Sequence, residues 1–120
     1  MKALKIYIAG KYTPDTDDKH EASRGAHQNT QKAIMAGLEL IRRGHYPYIP
    51  HLTHFIHLEQ DGSIPKEYWY QLDFQFLPHC DAFLYLSKSN GADKELEKAK
   101  ELGLTIFESV WDIPFAEKSP

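Results

Sequence analysis

Short apolar runs alternate with longer amphipathic ones along this chain. Residues 4–9, LKIYIA, alternate apolar and polar positions into an apolar end, and Gly10 stops them, as in a strand that runs into a turn. After a polar stretch over residues 13–24, which reads as a loop, residues 27–43 set Ala33, Ile34, Leu38 and Ile41 at helical spacing. Gly44 stands where a helix end favours positive φ. Residues 46–49 predict a short strand bounded by Pro50, and a histidine-rich loop follows. Ser63 then caps a helix with Pro65 in its first turn, which runs to about Leu77 and is ended by Pro78. Residues 81–87, DAFLYLS, read as a buried strand, and a turn over 88–91 leads into a helix over 92–102 closed by Gly103. Residues 104–107 are a further strand, and residues 111–115 pack a last turn onto the body.

The order β-α-β-α-β-α-β predicts an α/β fold with a mainly parallel sheet of about 4–5 strands. Crossovers between parallel strands are right-handed, so helices cover both faces in a Rossmann-like or flavodoxin-like three-layer α/β/α sandwich. Ligands bind such sheets beyond the carboxyl ends of the strands. That directs attention to residues 10–13, 50–54 and 87–95.

At 120 residues the chain fits a single domain, 1–120, with one core and one site. Its single cysteine, Cys80, cannot form an internal disulfide and fits a reducing compartment. A net charge of -3 with scattered basic residues offers no Lys/Arg stripe for a nucleic-acid polymer. The start MKALKIYIAG lacks the long apolar region of a signal peptide, and no stretch approaches the roughly 20 apolar residues of a membrane span. The expectation is a cytoplasmic protein with no membrane partner.

Two carboxylates fall on apolar helix faces. On the helix of residues 92–102, Ala92, Leu96, Ala99 and Leu102 form one stripe and Glu95 lies inside it, while the other charged residues lie outside. Glu95 also sits in the first turn after a glycine loop, where backbone amides and the helix dipole favour negative charge. On the preceding helix, Trp69, Leu72, Phe76 and Leu77 mark the buried side, and Asp73 falls between Phe76 and Leu77. Burying an unpaired carboxylate is costly, so two in one small domain invite a functional reading. The structural alternative for each is a cap or an ion pair.

The segment CDAFLYLSKSNGADKELEKAKELG resembles the nucleoside 2-deoxyribosyltransferase superfamily, in particular a small branch with a C-D-A-x-L strand before S-x-G-A-D-x-E and A-x-x-x-G. The W-x-x-x-D of Trp69 and Asp73, the start KIYIAGKYT and the segment GHYPYIPH extend the resemblance over about residues 5–108. It implies that Glu95 attacks the anomeric carbon, that Asp73 lies near the base and its leaving nitrogen, and that Tyr7 orients the glutamate. It also implies a homo-oligomer in which a neighbouring chain closes each site, and no cofactor. Ser89 stands where the true transferases carry aspartate and related deoxynucleotide N-hydrolases carry a serine that, with the glycine corresponding to Gly91, holds a 5'-phosphate. The resemblance therefore points to hydrolysis more than to base exchange.

The chemistry is coherent with that expectation. Glycosidic cleavage passes through an oxocarbenium-like state that one carboxylate can stabilise and capture, while a second, kept protonated by burial, protonates the leaving nitrogen. Amides from Asn90 to Ala92 suit a phosphate, with Gly10, Lys11 and Arg24 supplying space and charge from the first loop. His51, at the end of the second strand, is a candidate for the substrate pocket. His51, His54 and His57 form H-x-x-H-x-x-H, with His45 upstream, which is not a recognised zinc spacing. Cys80 reads as packing. The rival from another class is a non-catalytic nucleotide-binding or sensing module of the same fold; metal-dependent hydrolysis by the histidine loop is a third reading.

Overall fold

The computed structural model describes residues 1–117. Its four strands, β1 (Lys5–Ala9), β2 (Tyr46–Tyr48), β3 (Ala82–Tyr85) and β4 (Thr105–Phe107), form one all-parallel sheet in the order β2-β1-β3-β4. The helices are α1 (Lys19–Arg42), α2 (His54–Glu59), α3 (Lys66–Phe76) and α4 (Asn90–Glu101). Alternation along β1 separates two apolar layers. Ile6 and Ile8 pack with Ala33, Leu40, Leu84 and Ile113 on one face, and Tyr7 and Ala9 pack with Leu77, Phe83, Ala92 and Ala99 on the other. The fold is the expected α/β class with a Rossmann-like α/β/α layout, and among the described residues no helix is long and apolar enough to cross a membrane.

The first helix departs from its expected start. It begins at Lys19 rather than His27, because Asp18 caps it by accepting a hydrogen bond from the Glu21 amide at 2.9 Å. The Asp18-x-x-Glu21 signature starts a helix without any apolar period, which is why the polar stretch read as loop. Its buried stripe also differs. Ala26, Thr30, Ala33, Gly37 and Leu40 face inward, while Leu38 is 37% and Ile41 57% exposed. Small residues bring the helix axis close to the sheet, and a Cβ on Gly37 would collide with the Ile49 side chain.

The histidine-rich segment is helical rather than loop: a 3-10 turn, Pro50–Thr53, runs into α2. Ser63 is not the cap of the next helix. Pro65 occupies that position, and the Ser63 amide donates instead to Asp61 Oδ1 at 3.0 Å. Phe76 is 45% exposed, stacked on Tyr48 at 5.1 Å, and Pro78 lies inside the 3-10 turn Leu77–His79. The fourth helix starts at Asn90, two residues before the expected Ala92, because Ser89 caps it, and Leu102 at its end is 38% exposed.

A closing segment secures the α1 side. The segment packs a last turn onto the body as expected: after the 3-10 turn Val110–Asp112, Ile113 is fully buried, while Trp111 and Phe115 are exposed with their rings against the Arg43 guanidinium. Arg43 donates to the Ile113 carbonyl at 2.7 Å, and the Ala116 amide donates to the Arg43 carbonyl at 2.8 Å, next to Gly44 with its φ of +87°. Buried His45 accepts from the Leu4 amide on Nδ1 at 3.1 Å and donates to the Pro114 carbonyl through Nε2 at 2.7 Å, a structural role that ties β1 to the closing segment.

Candidate active site

In the order β2-β1-β3-β4, successive connections leave β1 in opposite directions, so the switch point lies between β1 and β3. The loops after these two strands are stitched together there: the Lys11 amide donates to Ser87 Oγ at 2.8 Å. Beyond them opens a cleft of about 850 Å³, bounded by the loop after β1, the start of α4, α3 and the 3-10 turn after β2.

Glu95, from α4, lines the cleft. It is 8% exposed, and Tyr7, fully buried on β1, donates its hydroxyl to Glu95 Oε2. The two residues meet because the Tyr7 side of β1 faces α4. Burial raises the Glu95 carboxyl to about 8; the Tyr7 donation pulls it down and the charge of Asp73 pushes it up. Burial first, then Glu95, drives the Tyr7 phenol far above its ordinary range, so it remains a donor. Tyr7 is held between Tyr48, at 5.5 Å, and the parallel ring of Phe83, at 5.7 Å.

Asp73 reaches the same cleft from α3 and is raised by burial to about 7. Trp69, one turn earlier, lines the cleft beside it, and its ring meets His57 at 4.2 Å. At the other end, Ser89 accepts from the Ala92 amide at 3.0 Å as the α4 cap, and Asn90 and Gly91 complete a helix start that opens on the cleft. Gly91 is tightly placed: a Cβ there would lie 3.1 Å from the Tyr70 hydroxyl. Gly10 and Lys11 line the cleft as well, with the Lys11 ammonium paired to Asp15. His51 is 6% exposed and its Nε2 donates to the Lys11 carbonyl at 3.2 Å. Burial holds its imidazole below the ordinary value, so Nδ1 is a bare acceptor, buried and without a partner among the described residues.

The sequence profile of a domain of unknown function, DUF7768, matches residues 4–109. The chain belongs to that family. No curated protein matches it. Every residue of the DUF7768 cleft named above lies inside the matched span.

One predicted site residue of the DUF7768 chain is elsewhere. Because residues 19–24 are helical, Arg24 is carried along α1 and borders a separate surface depression with His27 and His54. Lys66, at the start of α3, and Lys88, after β3, line the cleft where Arg24 does not. Their signal in the sequence is position alone, one following a strand and one opening a helix. Lys88 is bonded to Asp93 at 2.6 Å. Among the described residues no three His, Cys, Asp or Glu side chains converge to hold a metal; His54 bonds Tyr12 at 2.7 Å and His57 bonds Gln60 at 3.2 Å.

Proposed function

We propose that this chain cleaves the N-glycosidic bond of a nucleoside 5'-monophosphate, by hydrolysis rather than base transfer and without a metal or organic cofactor. The observation that carries the reading is the buried carboxyl of Glu95, held by the Tyr7 hydroxyl in one cleft with a second raised carboxyl, Asp73. Residues with strongly perturbed carboxyls in a cleft are site candidates on physical grounds alone.

The roles divide by position. Glu95, ionised, attacks C1' as the C1'–N bond breaks, and the leaving nitrogen takes the Asp73 proton. Water then adds to C1', its proton passes to the Asp73 carboxylate, and Glu95 is released as a carboxylate. Tyr7 keeps Glu95 oriented and favours its ionised form. The α4 start, with Ser89, Asn90 and Gly91, meets the phosphate, with Lys66, Lys88 and Lys11 adding charge. Trp69 and Tyr70 offer faces for the base. The acceptor Nδ1 of His51 fits a sugar hydroxyl.

The resemblance stated above also implies a homo-oligomer, and the exposed apolar side of α1, with Met35 59% and Ile41 57% exposed, is the face that suits a second copy. One observation favours the non-catalytic sensing module: a Glu95 carboxyl raised to about 8 stays largely protonated in an empty site at neutral pH. Free-base release from a panel of nucleosides and 5'-monophosphates separates the two. Release that needs the phosphate and is lost in Glu95→Ala supports the hydrolase; monophosphates that bind without any release support the sensor.

A further inference from the structure

On the outer side of α2 lies the depression of about 600 Å³ that takes in Arg24. Its rim carries His20, Arg24, His27, Gln28 and Gln31 from one side of α1, and His54 from α2. These positions recur every three or four residues, so α1 presents them as one donor-rich face. Among the described residues no carboxylate borders the depression. The guanidinium, imidazoles and carboxamides that gather there are the groups that hydrogen-bond an oxyanion.

The depression is joined to the cleft by a chain of hydrogen bonds. His54 is 3% exposed, and its Nδ1 meets the hydroxyl of Tyr12, a cleft residue, at 2.7 Å. Its Nε2 meets His27 Nδ1 at 3.4 Å. A neutral His54 has one ring proton: when Tyr12 donates to Nδ1, Nε2–H donates to His27. Tyr12 in turn stacks on His57 at 5.5 Å, which meets Trp69 in the cleft wall.

We propose that this depression is a second site, for a tetrahedral oxyanion of the phosphate class, whose occupancy is communicated to the cleft through the His27–His54–Tyr12 chain. An anion beside Arg24 favours the doubly protonated form of His54, whose Nε2–H goes on donating to His27 Nδ1. Protonation of His54 turns Nδ1 from acceptor to donor, so the Tyr12 hydroxyl must reverse its hydrogen bond and turn its proton toward the cleft. Among the described residues the titratable and charged groups facing the pair are Tyr12 from the β1 loop, His20 and Arg24 from α1, and His57 from α2. All are neutral or cationic. His54 lies below its ordinary value, first through burial and then through His27. Anion binding therefore takes up protons, and affinity rises as pH falls. The site itself goes beyond the glycosidase reading and stands without it.

The test uses the whole chain and sulfate, which stays dianionic across the range. Histidine ring resonances are followed by NMR during sulfate titration at pH 6 and pH 8, with Trp69 fluorescence recorded in parallel in a Trp111→Phe background that removes the second, exposed tryptophan. His27 and His54 are expected to shift together, with sulfate bound more tightly at pH 6 than at pH 8, because the anion favours the cationic form of His54. Arg24→Gln weakens binding at least about tenfold. Tyr12→Phe leaves sulfate binding intact and removes the fluorescence response. Binding independent of pH, or equal in Arg24→Gln, overturns the site; histidine shifts without any Trp69 response overturn the link. An alkyl phosphate and inorganic phosphate, run as separate arms, tell an ester ligand from the free ion. None of these readouts uses turnover, so a chain that cleaves no nucleotide still decides the matter.

Discussion

The two faces of the sheet are made from the same strands and differ in what they bury. On the α1 face, Ile6, Ile8, Leu40, Leu84 and Ile113 are fully buried hydrocarbon packed on alanine and glycine. The α3 and α4 face buries Tyr7 and Phe83 too, but sets two carboxyls, Glu95 and Asp73, at the edge of that layer. Because β1 alternates, neighbouring residues serve different ends: Ile6 and Ile8 stabilise, and Tyr7 between them holds Glu95 from beneath the cleft. The lesson is a division of labour at single-residue spacing, with stability concentrated behind the sheet and destabilising chemistry in front of it.

Substitutions on the two faces should therefore separate. The largest effect expected is on the front: Glu95→Ala lowers base release at least about a thousandfold, roughly 4 kcal/mol of barrier, with the fold intact by circular dichroism. Behind the sheet, Leu40→Ala costs about 2–5 kcal/mol in denaturant unfolding while the remaining folded fraction keeps its activity. Tyr7→Phe is expected to reduce kcat about 10–100-fold with little change in KM. Since the Tyr7 donation lowers the Glu95 carboxyl, its loss also leaves less of the ionised Glu95 that attacks at neutral pH.

The pH profile of the wild type follows from the carboxyl pair. Glu95 must be ionised and Asp73 protonated, and with values of about 8 and about 7 the profile is a bell with its maximum between them; Asp73→Asn removes the alkaline limb. Stability runs the other way for Glu95→Gln. Between the ordinary 4.5 and about 8, the folded wild type retains a proton that the unfolded chain has released, so its stability falls as pH rises through that window. The variant escapes this and is expected to be about 1–3 kcal/mol more stable at pH 9, with the difference gone near pH 4. A variant less stable than wild type at pH 9 would mean that the two faces do not differ in the way described.

Much of this division was legible in the chain. The strand spacing, the inward Glu95 on its helix and Asp73 one turn beyond Trp69 all come from periodicity, because an apolar stripe with a charge inside it is a one-dimensional signal. Arg24 was not placed correctly, since the helix start at Lys19 is written in a capping pair rather than in apolar spacing. Nor was the inward side of α1, where Gly37 and Ala33 face the sheet and Ile41 does not: close approach selects small residues, and periodicity of large ones points the wrong way. Lys66 and Lys88 became visible only when the cleft assembled from separate segments.

Ile113 has a practical meaning for anyone who cuts this domain out of its chain. The family profile stops at residue 109, yet Ile113 fills the layer behind the sheet and its carbonyl anchors Arg43. A fragment trimmed to the profile would leave a vacancy the size of an isoleucine side chain and release the end of α1. The unit recognised by kinship is shorter than the unit that closes on itself, and an expression boundary belongs after Glu117, whose amide donates to the Met1 carbonyl at 2.6 Å just beyond the Ala116 tie to Arg43.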